Sequence, residues 1–98
     1  MATWVKNLVG TSGKVSDCCD SWLGHYWKNG GTNVRQCGAH GCTSDAAVGA
    51  HVLNMHGNAA RNHFIVPFCQ GHNMQIGDEI RVKDHIALVL ASYCRKRR

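Results

Sequence analysis

Two short stretches, Cys37-Gly-Ala-His-Gly-Cys42 and Cys69-Gln-Gly-His72, decide how this chain is expected to fold. Each stretch carries two metal-binding side chains on a tight turn, so each can direct both side chains at one ion. Three thiols and one imidazole match the closed tetrahedral shell of a structural zinc site. The segment between the stretches is long enough for a β-hairpin that brings them together. The spacing therefore predicts one structural zinc ion bound by Cys37, Cys42, Cys69 and His72.

The cysteine count allows a competing interpretation, because six cysteines would also suit three disulfides. A disulfide scaffold has no use for the histidine of a Cys-x2-His pair, and the first residues are too few and too polar for a secretory signal. We therefore expect a cytoplasmic chain with reduced thiols and favour zinc over disulfides. His40 lies inside the first pair and is an alternative ligand, although thiolates are the softer donors.

Size and charge narrow the class of protein. Ninety-eight residues predict a single domain, residues 1–98, and a hydrophobic content of 44% predicts a modest core, so a metal would matter for folding. No stretch approaches membrane-spanning length, and neither a membrane nor a small-molecule partner is expected. Eleven Lys and Arg against six Asp and Glu give a formal net charge of +5. Two interpretations of this charge have about equal weight: it attracts an acidic partner such as nucleic acid, or it only keeps the protein soluble.

The basic tail is the best candidate for contact with phosphate groups. It consists of Arg95, Lys96, Arg97 and Arg98. The alternative is a frayed and solvated terminus.

Glycine positions and apolar patterns outline the other elements of an α+β domain. Residues 1–15 are predicted to form an extended or loosely ordered arm, and Ser16 or Asp17 is predicted to cap an aromatic helix that ends near Asn29. Strands are predicted at 46–53, 63–68, 80–82 and 86–91, with a short helix or turn within 70–79. Pro67 is expected at a strand end or on a sheet edge, because it has no N–H to donate.

Several aromatic and sulfur-containing residues outside the metal pairs have more than one interpretation. Trp22, Tyr26 and Trp27 could stack on bases, but aromatic residues on a short helix more often anchor a core. A second group could form another metal site, although core thiols are favoured, since Cys19 and His25 would face different sides of the predicted helix. A disulfide from Cys94 is a third alternative. The second group comprises Cys18, Cys19, His25 and Cys94.

The order of these features resembles a treble-clef zinc finger and, more narrowly, the HNH (His-Me finger, ββα-metal) group of nucleases and their inactive relatives. The matching stretch runs from Cys37 to about Asp78. Gly49-Ala50-His51-Val52 stands where that group carries its general-base histidine, and Phe64–Cys69 stands where its second strand enters the zinc turn. Asn73 stands at the last metal-binding position. The resemblance implies a small zinc-stabilised treble-clef domain, here with an N-terminal aromatic helix.

The whole chain also resembles small bacterial and phage-type proteins. The shared features are a Ser-Trp-Leu-x-His helix, a Gly-Ala-His-Val strand and an Ile-Val-Pro-x-Cys-x2-His-Asn turn, found here at 21–25, 49–52 and 65–73. This second resemblance implies a bacterial or phage origin and carries no function.

The functional expectation depends on one departure from the HNH pattern. Nucleases of that group usually hold magnesium through an Asp or His at the position of Ala50, and magnesium prefers oxygen ligands. We therefore expect a non-catalytic binding module for nucleic acid or a nucleoprotein complex. The alternative is a degenerate HNH-type endonuclease, with His51 as general base and Asn73 as magnesium ligand. A second alternative is a protein-binding adaptor or inhibitor that uses the aromatic helix as its contact surface.

Overall fold

The computed structural model describes residues 3–8, 21–30, 34–55, 63–75 and 77–91, which form an α+β structure dominated by one antiparallel sheet. Its strands, in sheet order β4-β1-β2-β3-β5, are β1 (Thr3–Asn7), β2 (Val48–Asn54), β3 (His63–Phe68), β4 (Glu79–Val82) and β5 (Val89–Leu90). The helices are α1 (Trp22–Lys28) and α2 (Gln70–Asn73). Neither described helix has the length and apolar content that crossing a membrane requires.

The β2–β3 hairpin is the part of the sheet that the sequence predicts best. Its antiparallel register runs from Val48 opposite Phe68 to Leu53 opposite His63. β3 has the predicted bounds because its β-branched and aromatic residues fit a sheet buried on both faces. Pro67 is the penultimate residue of β3, beyond the part that pairs with β5, so its expected place at a strand end is confirmed.

Residues 3–7 of the predicted arm are extended, as one of its two interpretations required, but they form the ordered strand β1 rather than a loose arm. This strand lies inside the sheet, with Val5 opposite Asn54 of β2 on one side and opposite Ile80 of β4 on the other. Both partners are distant in the chain, and a short segment of mixed polarity carries little local indication that it will pair with them. The other residues of the predicted arm, except Leu8, lie outside the described residues.

Two further element boundaries differ from the prediction. α1 begins at Trp22 rather than after Ser16 or Asp17, because Ser21 is extended (φ −147°, ψ 162°) and its hydroxyl accepts from the Gly24 N–H at 3.0 Å. Its predicted end is confirmed, with Asn29 as the C-cap. The predicted strand at 86–91 shrinks to the two residues of β5.

Helix α1 covers one face of β2 and β3. Tyr26 is fully buried, and its phenol donates to the carbonyl oxygen of Ala87 at 2.8 Å. Burial raises the pKa of Tyr26 to about 12, so the phenol keeps its proton and this bond at neutral pH. His25 is also buried, with Nε2 3.1 Å from the carbonyl oxygen of Leu90, to which it donates. These two residues fix α1 to the segment that contains β5.

The opposite face of the sheet carries the larger part of the apolar core. The strand registers place Val5, Val52 and Val66 on this face, and all three are fully buried. Phe68, Ile80 and Val82 extend the same layer. α2 packs at the end of this layer, since the Asn7 side chain on the same face binds two carbonyl groups in and after α2.

The segment that carries Cys37 bridges the two sides of the sheet. The Gly38 N–H donates to the carbonyl oxygen of Pro67 in β3, while the Lys83 N–H donates to the carbonyl oxygen of Gly38. Ala39 pairs antiparallel with Val82 of β4. β1 and β2 lie between β4 and β3 in the sheet. A segment that bonds to both β3 and β4 therefore requires the sheet to curve around its core.

Candidate metal centre

Four side chains converge where the bridging segment meets α2. The ligand atoms of Cys37, Cys42, Cys69 and His72 all lie within 4.8 Å of one another. His72 Nδ1 is 3.3 Å from Cys69 Sγ and 3.6 Å from Cys37 Sγ. The two predicted half-sites therefore meet, and they bring together the predicted Cys3His set.

The spacing of these atoms fits a tetrahedral metal ion. With Zn–S and Zn–N bonds of about 2.3 and 2.0–2.1 Å, tetrahedral angles place sulfur and nitrogen ligands about 3.5 Å apart. The two sulfur-to-nitrogen distances of 3.3 and 3.6 Å lie on either side of that value. Cys37, Cys42 and Cys69 form no disulfide. The four residues are therefore close enough, and chemically suited, to hold one metal ion.

A compact β-loop positions the first pair of ligands. Gln36 bridges Asp45 at its base, and the Cys37 N–H donates to the carbonyl oxygen of Ser44 at 2.8 Å. The chain reverses at Gly41, whose φ of +81° is a conformation that residues with a side chain rarely adopt. This turn brings Cys42 back beside Cys37.

The start of α2 positions the second pair. Cys69 is the extended N-cap residue, and His72 follows three positions later, on the same side of the helical turn. The Asn73 N–H donates to the carbonyl oxygen of Cys69 at 2.9 Å, which closes that turn. The Phe68 ring lies 6.0 Å from the His72 ring and joins the pair to the core.

The thiols differ in their environments. Burial raises the pKa of Cys37 to about 11, whereas a hydrogen bond from the Ser44 N–H lowers the pKa of Cys42. Cys37 is fully buried and Cys42 is only partly so. In the absence of a metal, Cys37 is a protonated thiol at neutral pH, so an ion that binds here must displace its proton.

The structure separates the remaining residues singled out in the sequence. His40 is exposed on the turn between Cys37 and Cys42 and is not in the cluster. His51 is 7% exposed beneath α1, with its ring edge-on to Trp22 at 4.3 Å. Asn73 is half-buried at the end of α2, near the opposite face of the sheet.

Some predicted residues fall outside the part of the chain that the structure describes. They are the basic tail, Arg95, Lys96, Arg97 and Arg98, and three of the four residues of the second candidate group, Cys18, Cys19 and Cys94. The fourth, His25, is buried between α1 and the segment containing β5.

One residue near the site is not anticipated by the sequence. Asn7, at the end of β1, donates from its side-chain amide to the carbonyl oxygens of His72 and Gln75, both at 2.8 Å. An isolated asparagine in a segment without periodicity carries no indication of such a role. Only the pairing of β1 inside the sheet brings it to α2.

Comparison of the chain with protein-family models, curated proteins and solved structures found no match. The resemblance to HNH proteins therefore rests on the motif residues alone.

Proposed function

We propose that the protein is a zinc-stabilised, non-catalytic binding module for nucleic acid or a nucleoprotein complex. The observation that carries the zinc assignment is the convergence of three thiols and one imidazole at tetrahedral spacing. Soft thiolates in a closed four-ligand shell favour zinc among common divalent ions. The site lies in the segment that bridges β3 and β4, so the ion has a structural role.

A treble-clef arrangement of the site is part of this proposal. A turn with two ligands, the β2–β3 hairpin and a helix with the other two ligands follow one another in the order of that motif. Two features depart from it: α2 has only four residues, and the hairpin belongs to a five-stranded sheet.

The nucleic-acid part of the proposal is supported by the formal net charge of +5 and the four consecutive cations at 95–98. We expect binding to single- or double-stranded nucleic acid to weaken steeply as salt increases. Replacing Arg95, Lys96, Arg97 and Arg98 by alanine should flatten the slope of log K against log salt by up to about 3.6 on duplex DNA, because each lost phosphate contact removes about 0.9. Fluorescence anisotropy at several salt concentrations measures this slope.

The control for this experiment is the zinc content and melting temperature of the variant, which should match those of the parent. Salt-independent binding, or no binding to any DNA or RNA, would contradict the proposal. In that case the adaptor alternative becomes the better one, and its test is capture of a protein partner from the source cell.

We propose a non-catalytic module because His51 is poorly placed to act as a general base. A base must reach the proton it removes, and the side chain of His51 is buried against Trp22. We expect no nicking of plasmid or single-stranded DNA with magnesium or manganese. Nicking that is lost in His51→Ala but retained in His63→Ala, with unchanged zinc content, would establish the degenerate nuclease instead. His63 is the matched control, an exposed histidine on the neighbouring strand.

A further inference from the structure

The side chain of Asn7 connects β1 to the helix that carries His72. Asn7 is 6% exposed, and its Nδ2 donates to the carbonyl oxygens of His72 and Gln75, both at 2.8 Å. The first acceptor is the backbone of a metal ligand itself. A displacement of this carbonyl would therefore move the imidazole that faces Cys37 and Cys69.

The orientation of this amide is determined by its partners. Both acceptors are carbonyl oxygens, which cannot donate, so the nitrogen and not the oxygen of the side chain must face them. Asn7 Oδ1 is consequently turned into the protein, where it is buried and has no hydrogen-bond partner among the described residues. A buried unpaired acceptor is unfavourable, and such groups persist where a neighbouring interaction requires them.

Helix α2 needs this support because it is very short. It has four residues, and a single helical turn is not stable by itself in water. Its N-cap, Cys69, makes no side-chain capping bond. The proposed metal would fix the start of α2 through Cys69 and His72, and Asn7 fixes its end.

We infer that Asn7 is a positioning residue of the metal centre, which sets the place of His72 by binding the backbone of α2. This inference rests on the proposed metal site, because it assigns a role in holding the ion. Asn7 would then influence metal affinity from β1, a strand that contributes none of the four cluster residues.

Two substitutions separate hydrogen-bond donation from packing. Asn7→Asp keeps the shape but replaces the donor with an acceptor that faces two carbonyl oxygens. Asn7→Leu keeps the branched shape at Cγ, although it is larger, and removes the unpaired Oδ1 together with the donor, so folding should suffer less than metal binding does. Val5→Ala is the control: Val5 is a fully buried residue of the same strand and the same face, and it pairs with Asn54 and Ile80.

The affinity for Zn²⁺ is measured by competition with a chelator, and the geometry of the site by the visible spectrum of the Co²⁺-loaded protein. We expect both Asn7 variants to bind Zn²⁺ about 10–100-fold more weakly, the effect typical of removing a residue that supports a metal ligand. Their Co²⁺ ligand-field bands should shift. Val5→Ala should lower the melting temperature while its Co²⁺ spectrum stays that of the parent.

The inference fails if both Asn7 variants retain parental affinity and spectrum, or if Val5→Ala changes both quantities as much as they do. A parent protein that binds neither Zn²⁺ nor Co²⁺ overturns the proposed metal site together with this inference. Parental metal binding with unaffected Asn7 variants overturns the inference alone.

Discussion

Serine in place of Cys37 will give a chain that binds no zinc and does not fold at room temperature. Cys37 is fully buried and belongs to the four-residue cluster. A structural zinc site contributes on the order of 10 kcal/mol to folding, which is comparable with the entire 5–15 kcal/mol stability of a typical domain. Circular dichroism and elemental analysis of the purified chain measure the two losses. Addition of a strong chelator to the parent protein should reproduce them.

The matched control for this experiment is His40→Ala, which removes an exposed imidazole from the same turn. This variant should keep about one zinc per chain and the parental melting temperature. A Cys37→Ser chain that remains folded, or a parent that is unaffected by chelation, would refute the structural role of the metal. Loss of zinc from His40→Ala would instead show that the ligand set includes His40.

Alanine at position 49 will destabilise the protein by about 2–3 kcal/mol, the upper part of the roughly 1–3 kcal/mol that overpacking a well-filled interior usually costs. A Cβ on Gly49 would clash with the carbonyl carbon of Trp22 and lie 2.6 Å from the Leu23 nitrogen. These are backbone atoms, so a side-chain rotation cannot relieve the clash and α1 must move away from β2. The melting temperature should fall by about 10–20 °C in a domain of this size.

Gly71→Ala tests whether any glycine replacement has this effect. A Cβ on Gly71, inside α2, would meet only the Cys69 sulfur at 3.9 Å, an ordinary contact. Alanine also favours a helix over glycine by about 0.5–1 kcal/mol, so the melting temperature should stay the same or rise. A Gly49→Ala protein that is as stable as Gly71→Ala would mean that α1 does not pack on β2 this closely.

The four-residue cluster could be predicted from the sequence because the two ligands of each pair lie close together in the chain. Each ligand pair closes one short turn, so the residue types and their spacing already specify which atoms point together. β3 could also be predicted, since a run of β-branched and aromatic residues indicates a buried strand. The short helix or turn expected within 70–79 is confirmed as α2. The joining of the predicted strands with β1 in one five-stranded sheet was not anticipated. The resemblance to a ββα domain emphasised the hairpin and the turn, and the other strands lie outside that motif.

The parts that could not be predicted depend on distant partners. β1 acquires its place from β2 and β4, more than forty residues away at the nearest pair, and its own composition does not specify pairing. The importance of Asn7 follows from that placement. The start of α1 was also misplaced. Ser21 is its N-cap, and Ser16 and Asp17 are residue types that cap helices equally well, so the sequence does not show which of them does so.

The bridging of β3 and β4 by the segment at 38–40 also has a consequence for association between molecules. Hydrogen-bonding groups on an unpaired strand edge can recruit strands from other chains. The bridging segment covers the Pro67 carbonyl on β3 and the Arg81 carbonyl on the outer edge of β4. Cys37 directly precedes this segment in the chain, so release of the proposed ion would free the segment and leave both edges uncovered. We therefore expect the proposed ion to act against aggregation as well as for folding. Chains made under zinc limitation should then self-associate through these edges.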